Sequence, residues 1–274
     1  MTPEGDGQMV RIDDAGPAAV RRTRLANAVK ERGFLRVTDA ALEWAVSSVT
    51  IRADLAALED AGLVSRVHGG AMPRTGGGTE PSFERSLERE TAAKRAIGVR
   101  AAAMVKSGQS VILDVGSTAL AVAHALVDRA ELTDVLIVTN GLTIALALEA
   151  AMPRFTVVVT GGTLRPLQHS LVNPFAAQFL QNLNADLAFV GCNGVDVVRG
   201  ATNINVPEAE VKQQMVRSAA RSILIADGSK LAQVRLGSIA PLAAFERLIT
   251  AGMAPEDAVE ALQAAGLTVV NADR

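Results

Sequence analysis

The chain has 274 residues, of which 49% are hydrophobic and 20% charged, and its formal net charge at pH 7 is −2. This length allows about two domains, and the hydrophobic content excludes a chain that is disordered throughout. The single cysteine, Cys192, excludes an intrachain disulfide and a cysteine-based zinc site. Because the start is polar and acidic and no apolar run reaches about 18 residues, we expect a cytoplasmic protein without a membrane partner.

The first module extends over residues 17–73, after a polar stretch at residues 1–16 that we predict to be a disordered tail. Apolar residues at helical spacing predict helices at residues 18–32, 38–45 and 48–61. The segment after the third helix, with its two adjacent glycines, predicts a short hairpin. Three short helices and a hairpin are the outline of a winged helix-turn-helix. The alternative is an ordinary helical module with a solvated arginine.

The charge of this module differs from that of the rest of the chain. Residues 17–74 contain nine Lys and Arg and six Asp and Glu, a net charge of +3, so the remaining residues carry −5. A small basic module joined to a larger acidic one is compatible with a DNA-binding protein.

The third predicted helix has one apolar face and one polar face. Spacings of four and three place Ile51, Leu55 and Leu58 together, so Arg52 points away from the core. Ser47 or Ser48 can cap the helix start, where recognition helices contact base edges. The candidate DNA-contacting residues on this helix, the hairpin and the first helix are Ser47, Ser48, Val49, Thr50, Arg52, Arg66, His68 and Arg22.

The second module follows a predicted linker at residues 74–81, which is rich in Pro, Gly and Thr. It covers residues 82–274 and begins with a predicted helix at residues 82–106, broken or weakened near Gly98. Seven short apolar runs then predict strands at 110–116, 135–140, 155–162, 187–194, 222–229, 246–252 and 267–272. Helical stretches separate several of them, at 118–130, 141–151, 174–183, 207–220 and 255–265. This alternation predicts an α/β domain with a mostly parallel sheet.

Several of the predicted strands end in polar, glycine-rich loops. Ligands of open α/β sheets bind beyond the carboxyl ends of the strands. Glycine lets backbone N–H groups approach an anion, and helix starts add positive dipole ends. The charged and hydrogen-bonding candidates are Arg165, Lys212, Lys230, Asp114, Asn140, Asn205 and Glu208. Together they suit a small polyol that carries a phosphate, although each loop by itself is also compatible with an ordinary turn.

The stretch "VSSVTIRADLAALEDAGLVSRVHGGA" at residues 46–71 resembles the N-terminal helix-turn-helix of the DeoR family of bacterial transcriptional regulators. Where that family often has a second adjacent arginine, this chain has Ala53. The resemblance continues through "KRAIG", "ILDVGSTA", "VTNG", "GGTLR", "SLVNP", "PEAEVKQQM" and "ILIADGSK", and so covers nearly the whole chain beyond the tail.

The resemblance implies a sensor domain related in fold to sugar-phosphate isomerases and CoA transferases, and a phosphorylated sugar as effector. Carried over by position, the residues that would line its site are Gly116, Ser117, Thr118, Thr139, Asn140, Gly161, Gly162, Asn205, Glu208, Lys212 and Lys230. The chain departs from the family pattern at Asn173, where the family usually has glycine, and at Gly228, where it more often has a polar residue.

These features predict a transcriptional regulator, in the first instance a repressor of sugar-metabolism genes. Its partners would be double-stranded operator DNA, a phosphorylated sugar and further copies of the chain in a dimer or tetramer. We expect no catalysis, metal or cofactor. One alternative is a DNA-binding regulator with a degenerate sensor. Another is a sugar-phosphate isomerase in which Asp114, Glu208 and Lys212 supply acid–base chemistry.

Overall fold

The computed structural model describes residues 17–32, 35–60, 63–67, 69–73, 80–255 and 257–273. The chain divides into two compact units, Met1–Thr79 and Glu80–Arg274. The predicted tail at residues 1–16 and most of the predicted linker lie outside the described residues, as does His68. In the part of the chain that is described, every helix is too short or too polar to span a bilayer.

The first unit is a winged helix-turn-helix, as predicted. Its elements are α1 (Pro17–Arg32), β1 (Leu35–Arg36), α2 (Val37–Glu43), α3 (Ser48–Asp60), β2 (Val64–Val67) and β3 (Gly70–Pro73). The core is formed by apolar residues of all three helices and of the small sheet, among them Leu25, Leu35, Ile51, Leu55 and Val64.

Two details of this unit differ from the sequence prediction. The second helix begins at Val37 and ends at Glu43, slightly ahead of the predicted 38–45. In addition, Leu35 and Arg36 form a strand that pairs antiparallel with β3, which gives a sheet of order β1-β3-β2. A strand this short carries no periodicity, so only its pairing partner identifies it.

The second unit contains the predicted α/β sheet. Its strands are β4 (Ser110–Leu113), β5 (Val135–Thr139), β6 (Phe155–Val159), β7 (Thr163–Arg165), β8 (Ser170–Val172), β9 (Ala185–Gly191), β10 (Gly194–Asp196), β11 (Gly200–Asn203), β12 (Ala219–Ile225), β13 (Gly237–Ala240), β14 (Arg247–Thr250) and β15 (Thr268–Asn271). Seven of them form one sheet of order β15-β14-β12-β9-β4-β5-β6, and every neighbouring pair in it is parallel. All seven predicted strands are therefore present in this sheet.

Helices cover both faces of the sheet. They are α4 (Phe83–Leu87), α5 (Thr91–Ala102), α6 (Ser117–Val127), α7 (Leu142–Leu148), α8 (Phe175–Leu180), α9 (Val206–Arg217) and α10 (Ala258–Ala264). Helices α5, α6 and α7 pack on one face and α8, α9 and α10 on the other, each group with its own apolar core. Strand β9 shows the division, because Leu187 and Phe189 belong to the first core whereas Ala188 and Val190 belong to the second.

Short antiparallel strands add two smaller sheets that the sequence did not predict. Strands β7 and β8 form a hairpin, and β10, β11 and β13 form a sheet of three strands. Each of these strands has three or four residues. Their pairing partners, not their composition, make them strands.

The predicted break near Gly98 is wrong. The helical region is interrupted earlier, at residues 88–90, where Glu90 has a left-handed φ of 50°. Gly98 lies in the middle of α5, and a Cβ atom there would be 2.4 Å from the carbonyl oxygen of Ala121 in α6. The glycine therefore permits close packing of two helices and does not end one of them.

We expect Gly98→Ala to destabilise the second unit by roughly 1–3 kcal/mol, because the added methyl group overpacks the α5–α6 contact. The clash should outweigh the gain of about 1 kcal/mol that alanine brings to a helix interior. Chemical unfolding followed by circular dichroism would measure the change. Val99→Ala on the exposed side of the same helix is the control and should stay within about 0.5 kcal/mol of wild type. A more stable Gly98→Ala variant would contradict the prediction.

Candidate functional site

The start of α3 is capped by Ser47. Its Oγ accepts a hydrogen bond from the backbone N–H of Thr50 at 3.1 Å and lies 2.9 Å from the Thr50 hydroxyl. An N-cap of this kind satisfies one of the N–H groups that the first turn leaves without a partner. Ser47 and Thr50 thus fix the beginning of the helix while Ser47 remains at the surface.

The exposed face of α3 carries the predicted DNA-contacting residues. Val49 is 70% exposed, Arg52 and Ala53 are exposed, and Ser48 is partly exposed. The opposite face is held by Ile51 and other buried residues. Arg52 is therefore the cation that the described part of this helix offers to a partner, and the small Ala53 beside it allows close approach.

A buried carboxylate joins α1 to α3. Asp54 is 2% exposed and accepts hydrogen bonds from Nε of Arg21 and, at 3.1 Å, from Nε of Arg22. Burial raises the pKa of Asp54, but the two arginines outweigh it and the pKa lies below its usual value. The sequence analysis assigned no role to Asp54. An acidic residue at a buried position of α3 was a signal that it pairs with a cation. Arg22, predicted to contact DNA, is half-exposed and serves this structural pair as well.

The wing presents Arg66 at the surface. Its backbone N–H donates to Oε1 of Glu59 at 2.8 Å, and its guanidinium Nη1 is 3.9 Å from the other oxygen of that carboxylate. Exposed ion pairs at such distances contribute little stability, so Arg66 can exchange this partner for a phosphate.

The parallel sheet brings the predicted ligand loops to one edge. Strands β12, β9, β4, β5 and β6 are consecutive neighbours, so their carboxyl ends adjoin one another. The predicted residues that follow these ends are Asp114, Gly116, Ser117 and Thr118 after β4, Thr139 and Asn140 at the end of β5, Gly161 and Gly162 after β6, and Lys230 after β12.

Asp114 and Lys212 form a fully buried ion pair. Nζ of Lys212, on α9, contacts Oδ2 of Asp114, and the backbone N–H of Gly191 donates to the same oxygen at 2.8 Å. Burial raises the pKa of Asp114, an effect that Lys212 partly offsets. Burial also opposes the charge of Lys212, but Asp114 and Glu208 outweigh it and raise the lysine pKa. The ammonium charge predicted for ligand binding is thus already neutralised by Asp114.

A second buried cluster surrounds Arg165. Its Nη1 donates to Oε1 of Glu208 at 2.8 Å and to Oε1 of Glu80 at 3.1 Å, and its Nη2 contacts the other oxygen of Glu80. Glu208 also accepts from the Ser170 hydroxyl at 2.6 Å. Its backbone N–H donates to the side chain of Asn205, which caps α9. Sequence reasoning missed Glu80, because nothing in the linker composition indicates a partner so far along the chain.

Among the buried side-chain atoms that have no hydrogen-bond partner in the described residues, two are acceptors directly after neighbouring strands. They are Oδ1 of Asp114 and Oδ1 of Asn140, which follow the adjacent strands β4 and β5. The Asn140 amide nitrogen donates to the carbonyl oxygen of Leu171 at 3.1 Å, which fixes its orientation, and Oγ1 of Thr139 accepts from the backbone N–H of Gly141. Hydroxyl donors from a ligand would satisfy both acceptors.

The glycines of the loops leave backbone accessible. Gly116 and Gly161 have φ values of 111° and 72°, and open space lies where a Cβ would stand at either residue. Gly116 precedes the first turn of α6, where Ser117 and Thr118 are partly exposed. Lys230 is also partly exposed and, within the described part of the chain, forms no ion pair.

The structure shows the surroundings of Gly228 and Asn173, the two positions at which the chain departs from the family pattern. Gly228 has no room for a side chain, since a Cβ would lie 2.4 Å from the carbonyl oxygen of Met253. The Asn173 side-chain amide donates to the carboxylate of Glu210.

Cys192 has no features of a reactive nucleophile. Burial raises the pKa of its thiol to about 12, so it is not a thiolate at neutral pH. No group of three or more His, Cys, Asp and Glu side chains among the described residues is arranged to hold a metal ion.

This chain is similar to known families and proteins over most of its length. A family model described as "DeoR-like helix-turn-helix domain" matches residues 21–74, and one described as "DeoR C terminal sensor domain" matches residues 89–251. The HTH-type transcriptional regulator GlpR of Haloferax volcanii is 37% identical over 92% of this chain and 97% of its own length. A putative aga operon transcriptional repressor of Escherichia coli O157:H7 is 34% identical over 91% and 92%. The solved sorbitol operon regulator SorC of Klebsiella pneumoniae aligns with a TM-score of 0.44 and 14% identity, over 88% of this chain and 97% of that chain.

Proposed function

The chain belongs to the DeoR family of DNA-binding transcriptional regulators, and on that premise we propose that it represses genes of sugar metabolism and releases its operator when a phosphorylated sugar binds the second unit. The coupling between the two sites would be on the order of 1–3 kcal/mol. A protein that binds bacterial operator DNA would act in the cytoplasm, and a dimer or tetramer would match the paired half-sites that helix-turn-helix proteins bind.

The observation that carries the effector proposal is the pair of unsatisfied acceptors on Asp114 and Asn140. Buried polar groups are ordinarily hydrogen-bonded, so two of them after adjacent parallel strands favour a ligand with several hydroxyl groups. At the same edge of the sheet, the open backbone at Gly116 and Gly161, the first turn of α6 and Lys230, which forms no ion pair with another described residue, suit an anionic group. A sugar phosphate combines the two kinds of group.

We propose binding without turnover, and with no metal or cofactor. The groups that an isomerase would use for acid–base chemistry are held by one another, since Lys212 pairs with Asp114 and Glu208 with Arg165. A general base must reach the proton that it removes, and each of these carboxylates already contacts a cationic side chain within the protein. Interconversion of a sugar phosphate by the purified protein would contradict this part of the proposal.

Thermal unfolding against a panel of sugar phosphates, with the corresponding free sugars beside them, tests the proposed effector. A ligand of the native state at about 100 times its Kd stabilises that state by about 2.7 kcal/mol. We expect at least one phosphorylated compound to raise the Tm and its free sugar to leave it unchanged. An unchanged Tm across the whole panel would instead favour a regulator with a degenerate sensor.

We predict that Lys230→Ala leaves operator binding intact and abolishes the response to the effector, because Lys230 is a partly exposed cation at the carboxyl edge of the sheet and pairs with no described acidic side chain. Fluorescence anisotropy with labelled operator, with and without the sugar phosphate found in the panel, measures both properties. Lys106→Ala is the matched control, since Lys106 is exposed and precedes β4, at the opposite edge. Loss of operator binding in the Lys230 variant would argue against a purely sensory role.

A further inference from the structure

The second unit begins with a residue that is inserted into the ligand site. Glu80 belongs to no helix or strand, yet only 8% of its side chain is exposed, and both of its oxygens contact the guanidinium of Arg165. Arginine and carboxylate form two parallel hydrogen bonds in this arrangement, the same geometry that arginine offers to a phosphate. Glu80 therefore occupies the donors that an anionic ligand would use.

The residues after Glu80 lie along the segment that follows Arg165. The Pro81 carbonyl oxygen accepts from the Gln168 side chain at 2.7 Å. One step further, the ring of Phe83 is 5.3 Å from that of His169, and Nε2 of His169 is 3.3 Å from Oε1 of Glu84. Residues 80–84 are thus attached to residues 165–169 at several points, of which the Glu80–Arg165 pair is the one between opposite full charges that are both largely buried.

The charges in this buried region do not balance. Arg165 and Lys212 supply two positive charges, whereas Glu80, Glu208 and Asp114 supply three negative ones, so the region carries a net charge of −1 with all groups ionised. Bringing a phosphate dianion to Arg165 would add two further negative charges where the dielectric constant is low. One carboxylate has to leave before the anion can bind well.

Glu80 is the carboxylate that is held least firmly. Glu208 lies in the first turn of α9 and is also fixed by Ser170 and Asn203, and Asp114 is fixed by Lys212 and Gly191. Glu80 has Arg165 as its hydrogen-bond partner and no regular backbone structure to hold it. Burial, together with the nearby charge of Glu208, raises the pKa of Glu80 above its usual value although Arg165 opposes the shift, so the charge of Glu80 is less well stabilised here than in water.

We propose that Arg165 binds the effector's phosphate in addition to Lys230 and the loop groups named above, and that Glu80 is a resident counter-ion which the phosphate displaces. This inference rests on the proposed function, since it names where the anionic part of the ligand binds and how it acts. Residues 74–79 connect Glu80 to the DNA-binding unit along the chain. Displacement of Glu80 would free residues 80–84, which follow directly on residues 74–79, from residues 165–169.

Binding of inorganic phosphate to the full-length protein, measured by isothermal titration calorimetry, tests the displacement. We expect Glu80→Gln to bind phosphate about tenfold more tightly than wild type, equivalent to about 1.4 kcal/mol, because the competing charge is gone. Glu88→Gln is the matched control: Glu88 is an exposed glutamate directly after α4, outside residues 80–84, and its replacement should change the Kd less than twofold. Replacing Arg165 with glutamine in the Glu80→Gln protein should abolish the gain.

Hydrogen–deuterium exchange of the wild-type protein gives a second measurement that does not depend on any variant folding. Phosphate should increase exchange in residues 80–87 and leave the sheet protected. Equal phosphate affinity in wild type and Glu80→Gln, or exchange in that segment unchanged by bound phosphate, would overturn the displacement. The sugar-phosphate panel would still decide the proposed function separately. Absence of phosphate binding by every variant would overturn the assignment of Arg165, whatever the panel gives.

Discussion

Replacing Lys212 with methionine should destabilise the second unit by about 3–5 kcal/mol, the usual cost of leaving one member of a buried ion pair without its partner. Asp114 is fully buried, and without Lys212 its carboxylate would lose its cationic partner and keep backbone N–H donors such as that of Gly191. Urea unfolding of wild type and variant would measure the loss. A change below about 1 kcal/mol would mean that water or another cation reaches Asp114.

The same variant should show a distinct pH dependence. Burial already raises the pKa of Asp114, and loss of Lys212 removes the charge that offsets this effect. The folded variant then binds a proton more readily than the unfolded chain, whose aspartates titrate near pH 4. Its stability relative to wild type should therefore fall as pH rises from about 4 through the raised pKa. The double variant Asp114→Asn with Lys212→Met removes both charges and should recover most of the loss at neutral pH.

Arg52→Ala should weaken operator binding by about 1–3 kcal/mol if Arg52 contacts a base. Arg52 is the exposed cation of α3, beside a small residue, and it lies close to the capped helix start. Arginine donates two hydrogen bonds to a guanine edge, and no other exposed side chain in the described part of this helix can replace that pair. Operator fragments selected from a random library, compared with random DNA at fixed salt, would provide the two affinities.

Arg66→Ala on the wing is the matched control for Arg52, because Arg66 is also exposed and lies where a wing contacts phosphates. It should reduce the affinity for operator and random DNA by the same factor and lower the salt dependence of binding. An equal loss for both DNAs in the Arg52 variant as well would make Arg52 a phosphate contact, and operator recognition would then depend on other residues.

The elements with strong periodicity could be predicted from the sequence. Helix α3 was placed to within one residue of its end, because Ile51, Leu55 and Leu58 repeat at helical spacing and Ser47 supplies a cap. The seven strands of the parallel sheet were found because strands buried on both faces are continuous apolar runs. Once the sheet is known to be parallel, the loops after its strands must share one edge, so the candidate ligand residues could be named together.

The tertiary structure alone decided which charged side chains meet. Asp114, directly after β4, contacts Lys212 of α9, and Glu80, at the beginning of the second unit, contacts Arg165. No local pattern encodes these pairs, because their partners are distant in sequence and only the packed fold brings them together. Gly98 shows the same limit: the sequence suggests a helix break, whereas contact with α6 makes it a packing residue. Local periodicity thus determined the helices, the strands of the parallel sheet and the edge at which its ligand loops lie. Burial and charge pairing between residues distant in sequence decided which of the predicted ligand groups remain free to bind.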